Sequence, residues 1–123
     1  MSGIMPRTIK KEKMNIPKSI TEAILTLEEM IIEEDKKFIL NSEEKKVLGS
    51  YHHGIGMWMR NNWGFWKDEE TPLKTEFKNM GITHPDDMSG IIITSFYRHL
   101  HGQPLYLEKQ AQHYIDYWKE NEI

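Results

Sequence analysis

Helix-start signals recur along this chain, each followed by apolar residues three and four positions apart, and that combination points to an all-α fold. Ser19 and Glu22 form a capping box behind Pro17, and Ile20, Ala23, Ile24, Leu27, Met30 and Ile31 then repeat at helical spacing. Thr71-Pro72 sets a cap before a first-turn proline, with Leu73, Phe77 and Met80 following and Gly81 as a stop. His84-Pro85-Asp86-Asp87 repeats the signal ahead of Ile91, Ile92, Ile93, Phe96 and Leu100, and Gly102 ends that run. Three consecutive isoleucines also suit a buried strand, but the proline and aspartates before them and the length of the pattern after them favour helix. Between these segments, Glu33-Glu34-Asp35 precedes Phe38, Ile39 and Leu40 as a second short helix or a bent continuation of the first. Ser42, with Glu43 and Glu44 in the first turn, is placed to cap a third helix that runs to about Asn62 and stops at Trp63-Gly64. Leu107 to about Asn121 closes the chain, with Ala111, Tyr114, Ile115 and Trp118 inward. The expectation is a compact single-domain bundle of five or six helices over residues 16–123.

Residues 1–15 hold Gly3, Pro6, Arg7, Lys10, Lys11 and Lys13 and little that could pack, so they are expected to form a flexible basic tail, with Met14 an alternative start. At 123 residues the chain fits one domain. A net charge of −3 argues against a dedicated nucleic-acid binder, which needs a clustered basic surface. The absence of cysteine excludes disulfides, thiolate metal sites and cysteine nucleophiles. No apolar run approaches the roughly 20 residues of a membrane span, and residues 1–15 lack the apolar stretch of a signal peptide. A cytoplasmic protein is the expectation.

The third helix carries the most informative pattern. Turned at about 100° per residue, Val47, Leu48, Tyr51, Ile55, Trp58 and Met59 form an apolar arc. Beside it runs a stripe of Gly49, His52, His53, Gly56 and Arg60. A glycine inside a helix costs about 1 kcal/mol relative to alanine, so Gly49, Gly54 and Gly56 in one helix imply that something approaches the backbone closely. That something is either a neighbouring helix that crosses tightly or a ligand with His52, His53 and Arg60 around it.

In the fifth helix, Asp87, Ile91, Thr94 and Arg98 share a stripe that is either a solvated face or the seat of a guanidinium paired with a carboxylate, from Asp87 or from a ligand. His84, Asp86 and Asp87 are ligand types for a metal, but Pro-Asp-Asp is also an ordinary helix start, and His99 and His101, two apart, point in different directions. Trp58, Trp63, Phe65 and Trp66 make an aromatic patch in which Asn61 or Asn62 could accept from an indole N–H. A phosphate-binding glycine loop, a dinucleotide fingerprint, a zinc histidine pair and a nucleophile elbow are all absent, so neither a cofactor nor a catalytic residue is implied.

The segments Gly49-Ser50-Tyr51-His52-His53-Gly54-Ile55-Gly56, Arg60-Asn61-Asn62-Trp63-Gly64, His84-Pro85-Asp86-Asp87-Met88-Ser89 and Arg98-His99-Leu100-His101-Gly102-Gln103-Pro104 together resemble a family of small bacterial domains of unknown function, over about Ile16 to Trp118. The resemblance implies that these residues belong together. His52, His53, Arg60, Asn61, Trp63, His84, Asp87 and Arg98 are then the candidates for one ligand pocket. The first functional reading is a non-catalytic module for a polar or anionic small ligand or acidic peptide, with Arg60 and Arg98 as clamps. A protein-interaction or immunity-type adaptor using the tryptophans is the second reading. A hydrolase or lyase with His52 or His53 as base and Asp87 beside it is the third.

Overall fold

The computed structural model describes residues 15–121 and is all-α, with no strand among them. The basic stretch, Asn15 excepted, lies outside the described residues. The helices are α1 (Ile20–Met30), α2 (Glu33–Leu40), α3 (Glu44–Tyr51), α4 (Met57–Asn62), α5 (Pro72–Asn79), α6 (Pro85–Leu100) and α7 (Leu107–Glu120). A π-helical turn, His52–Gly56, joins α3 to α4 without a break in the helical path. These three pieces form one rod, and the six resulting rods match the expected bundle.

The start signals act locally as expected. Ser19 Oγ accepts from Glu22 N at 3.0 Å, Thr71 Oγ1 accepts from Lys74 N at 3.2 Å, and His84 Nδ1 accepts from Asp86 N at 3.0 Å. Each satisfies an amide that has no partner inside the helix. α5 and α6 stop where Gly81 and Gly102 take φ values of 85° and 67°. The amides beyond them fold back, Ile82 N to Phe77 O and Gln103 N to Arg98 O. One cap differs from expectation. Glu43 holds the cap position of α3 without a side-chain bond, and Ser42 serves through its carbonyl, which accepts from Tyr97 Oη at 2.7 Å.

α6 is the axis of the fold. Every residue from Asp87 to Tyr97 is buried, and α1, α2, the α3–π–α4 rod and α7 all pack on it. A helix covered on all sides needs no polar face, so the stripe of Asp87, Thr94 and Arg98 does not form a solvated surface. Ile91, Ile92 and Ile93 are all in this core, each stabilising the fold by about 2 kcal/mol relative to exposure. α7 approaches closely at Gly90, where a Cβ would lie 2.6 Å from Tyr114 Oη.

The π turn corrects the expected stripe on the third helix. Its bonds span five residues instead of four, so it holds one residue more than an α turn and rotates all that follows by about 100°. Gly49 and Gly56, a heptad apart, therefore do not share a face. Gly49 is exposed, and a Cβ there would meet nothing within 4 Å. Gly56 is buried, with a Cβ position 3.1 Å from both Tyr51 O and Arg60 Nη1 and 3.4 Å from Ile93 Cδ1. The tight crossing with α6 is real, and Gly56 alone of the three glycines serves it.

Candidate functional site

The start of α6 is where the polar groups gather. Arg60 reaches it from α4 and is only 4% exposed. Its Nη1 donates to Ser89 Oγ at 2.7 Å and its Nη2 to the His52 carbonyl at 3.1 Å. Nε lies 3.4 Å from Asp86 Oδ1, close enough for charge attraction but without hydrogen-bond geometry. The π turn delivers both the His52 carbonyl and the imidazole of His52 to this spot. Burial first, and the Arg60 charge second, hold the His52 pKa below its ordinary value, with Asp86 pulling the other way. His53 stands edge-on to His52, ring centroids 4.8 Å apart, and is exposed.

One step further round, α7 forms the opposite wall of an open recess of about 390 Å³. His84, Asp86 and Asp87 line it from α6, and His113, Tyr114, Tyr117 and Trp118 from α7. Asp87, 7% exposed, accepts from Trp118 Nε1 at 2.7 Å through Oδ2. Its Oδ1 has no hydrogen-bond partner among the described residues. Trp118 is also stacked on His84, with centroids 5.3 Å apart and planes 24° apart, and Trp66 meets the same imidazole edge-on at 6.5 Å. Burial pushes the Asp87 carboxyl up from its ordinary value, and the nearby Asp86 adds to that. The Trp118 bond, His84 and His113 partly offset the rise. Burial, then Asp87, raises the Tyr114 phenol as well.

Residues 16–100 match a domain of unknown function, DUF6794. The chain belongs to that family. The DUF6794 match takes in α1 to α6 and ends at Leu100, earlier than the Trp118 expected from the sequence, so the α7 wall of the recess lies beyond it. No curated protein and no solved structure matches the chain. Among the described residues no helix is long and apolar enough to cross a membrane.

Of the eight candidate residues in this DUF6794 chain, His52, His53, Arg60, His84 and Asp87 lie around the start of α6, while Asn61, Trp63 and Arg98 lie elsewhere. Asn61 is exposed. Trp63 is buried between Trp58 and Phe65, and its Nε1 has no partner. Asn62, instead of answering that indole, donates to Trp58 O at 2.9 Å. Arg98 is three turns along α6, about 16 Å from Asp87 by helical rise and out of its reach. It instead makes a two-pronged pair with Glu44 at 2.8 and 3.1 Å and donates to Leu105 O at 2.7 Å. Neither His52 nor His53 bonds Asp87, so the base–carboxylate pair required by the hydrolase reading does not form.

Among the described residues no cluster of three or more His, Asp or Glu side chains is placed to hold a metal ion. Sequence reasoning missed Ser89, Gly90, His113, Tyr114 and Tyr117 as parts of the site and put Trp118 in the core, where the structure leaves it 46% exposed. One signal was available: Ser89-Gly90 are small residues at the head of an apolar helix, where close approach is the usual reason for them.

Proposed function

We propose that this chain is a non-catalytic binding module whose site is the recess at the start of α6 and whose ligand is a polar small molecule or peptide segment. The observation that carries this reading is Asp87, a carboxylate more than nine-tenths buried, with one oxygen unpartnered, on the wall of an open recess. A concave site with a few placed polar groups among aromatic rings is how small ligands are held. The expected clamps do not support an anion here, since Arg60 is committed to Ser89 and the His52 carbonyl and faces Asp86, and Arg98 is committed to Glu44. A cysteine-free chain suits a reducing compartment, so the cytoplasm is part of this proposal.

Thermal unfolding against a panel of amines, amino acids, carboxylates, nucleotides and sugars tests it. A ligand at 100 times its Kd adds about 2.7 kcal/mol, which raises the midpoint of a domain this size by several degrees. A rise in the wild type that is lost in a folded Trp118→Ala variant supports the recess. A rise that Trp118→Ala retains, or none with any compound, rejects it.

The second reading, an interaction or immunity-type adaptor, is favoured by a separate observation. Trp66 and Tyr117 flank the recess while 56% and 51% exposed, and exposed aromatic rings are common anchors of protein interfaces. A stable complex with a protein partner that Trp66→Ala disrupts and Trp118→Ala does not would select that reading.

A further inference from the structure

We infer that the group held in this recess is a methylated ammonium; the inference rests on the recess being the ligand site. The charge of the lining is the first argument. No lysine or arginine lines the recess, whereas two carboxylates do. They are not equivalent. Asp86 faces the Arg60 guanidinium, whereas Asp87 makes no ion pair: it accepts one hydrogen bond, from the Trp118 indole, with the His84 and His113 imidazoles near it but not bonded to it.

The recess on the other side of His113 and Tyr114 sharpens the point. It is lined by Lys45, Arg98 and Lys109 with Glu44. The two hollows share part of α7 and carry opposite charge, so an anion has a better home next door, and the α6-start recess is left to a cation.

The aromatic groups are the second argument. Trp118 is held by two restraints, its bond to Asp87 and its stacking on His84. Tyr117 stands edge-on to it at 5.2 Å, and Tyr114 lies on the same α7 wall. Aromatic faces attract cations through the ring quadrupole, and rings around a carboxylate form the usual cage for a methylated ammonium. Methyl groups suit these rings because they meet ring faces without needing an acceptor for each N–H. Trp118 and the Asp87 carboxylate hold each other in place, so little is lost in ordering them when a ligand arrives.

The test follows the Trp118 indole N–H signal in a two-dimensional NMR spectrum, assigned among the four tryptophans with Trp118→Phe. Choline is titrated against its neutral isostere 3,3-dimethylbutan-1-ol, against inorganic phosphate, and against a peptide carrying one trimethyl-lysine. The expected result is a saturable shift with choline, with the isostere and the Asp87→Asn variant each at least about ten-fold weaker, a factor that corresponds to about 1.4 kcal/mol. The amide oxygen introduced by Asp87→Asn can still accept from the indole, so that variant keeps the Trp118 contact and removes only the charge. A peptide that binds more tightly than choline supports the inference with a lysine side chain as source, and choline binding more tightly supports a small molecule. Equal affinity for the isostere, unchanged affinity in Asp87→Asn, or a response to phosphate alone overturns the cation while leaving the recess standing as a site. No response to either ammonium probe also overturns it, and the recess is then judged by the wider thermal panel.

Discussion

The two ends of α6 treat their polar side chains in opposite ways. At the C-terminal end each one is spent on another part of the chain. Arg98 pairs with Glu44 of α3, Tyr97 donates to Ser42 O, His101 stacks on Tyr97 and donates to Ile39 O, and His99 meets Glu28 of α1 at 2.8 Å. At the N-terminal end bonding is incomplete. Asp87 keeps one free oxygen, Arg60 Nε lacks a hydrogen bond, and His53 faces solvent. One end ties helices together, each polar side chain bonded to another element. The other holds charged groups in place and leaves part of their valence open, which is the condition for a ligand to matter there.

The largest expected effect tests whether the open end is still structural. Arg60→Met should lower stability by about 3 kcal/mol, because Ser89 and the His52 carbonyl lose a buried charged donor, and the melting midpoint should fall by about 12 °C. A fall of only a degree or two would mean that Arg60 is poised for something outside the chain. At the closed end, Arg98→Met should cost about 2 kcal/mol and Arg98→Lys about half of that, since lysine keeps the charge and loses the two-pronged geometry. Urea unfolding measures both, and equal effects would show that the fork contributes nothing.

Gly90→Ala should destabilise by about 1 kcal/mol, the overpacking against Tyr114 outweighing the gain in helix propensity. In a Tyr114→Phe background the sign should reverse, because the hydroxyl that the new methyl meets is gone; a double-mutant cycle reads this directly.

The smallest effect is a pH dependence. The Asp87 pKa is raised in the fold, chiefly by burial, so the folded state binds this proton more tightly than the unfolded state. Its favourable contribution is therefore full below the ordinary aspartate value and declines as pH rises to the raised one. Asp87→Asn should remove that decline and leave the protein slightly more stable at neutral pH, by less than about 1 kcal/mol. A less stable Asp87→Asn at neutral pH would show that the carboxylate is fully answered inside the protein, and the contrast between the two ends would fail.

What was legible in the sequence follows the range of the interactions involved. Ser19, Thr71, His84, Gly81 and Gly102 act within a few residues of themselves, and all five do in the structure what their neighbours imply. His52, Arg60, His84 and Asp87 stand out in the sequence as co-occurring polar residues in two helices, without their partners, and only His84 and Asp87 of them line the recess. Glu44 for Arg98, and α7 for Asp87, lie 54 and 31 residues away, and no local pattern announces such pairs. The glycine stripe was misread for another reason: a helical wheel assumes one pitch, and the chain changes pitch at His52.

That change of pitch has a consequence for what the chain can tolerate. Deleting one residue between His52 and Gly56 would let α3 and α4 fuse into an ordinary helix of nearly the same composition. Contacts on both sides would survive, because losing the extra residue and losing the π turn cancel, and Trp58, Met59 and Arg60 keep their rotation on the rod. The rod could therefore lose a residue here and keep its packing, which an ordinary helix in this molecule could not, and the cost would fall on the local contact the turn provides, the His52 carbonyl that accepts from Arg60.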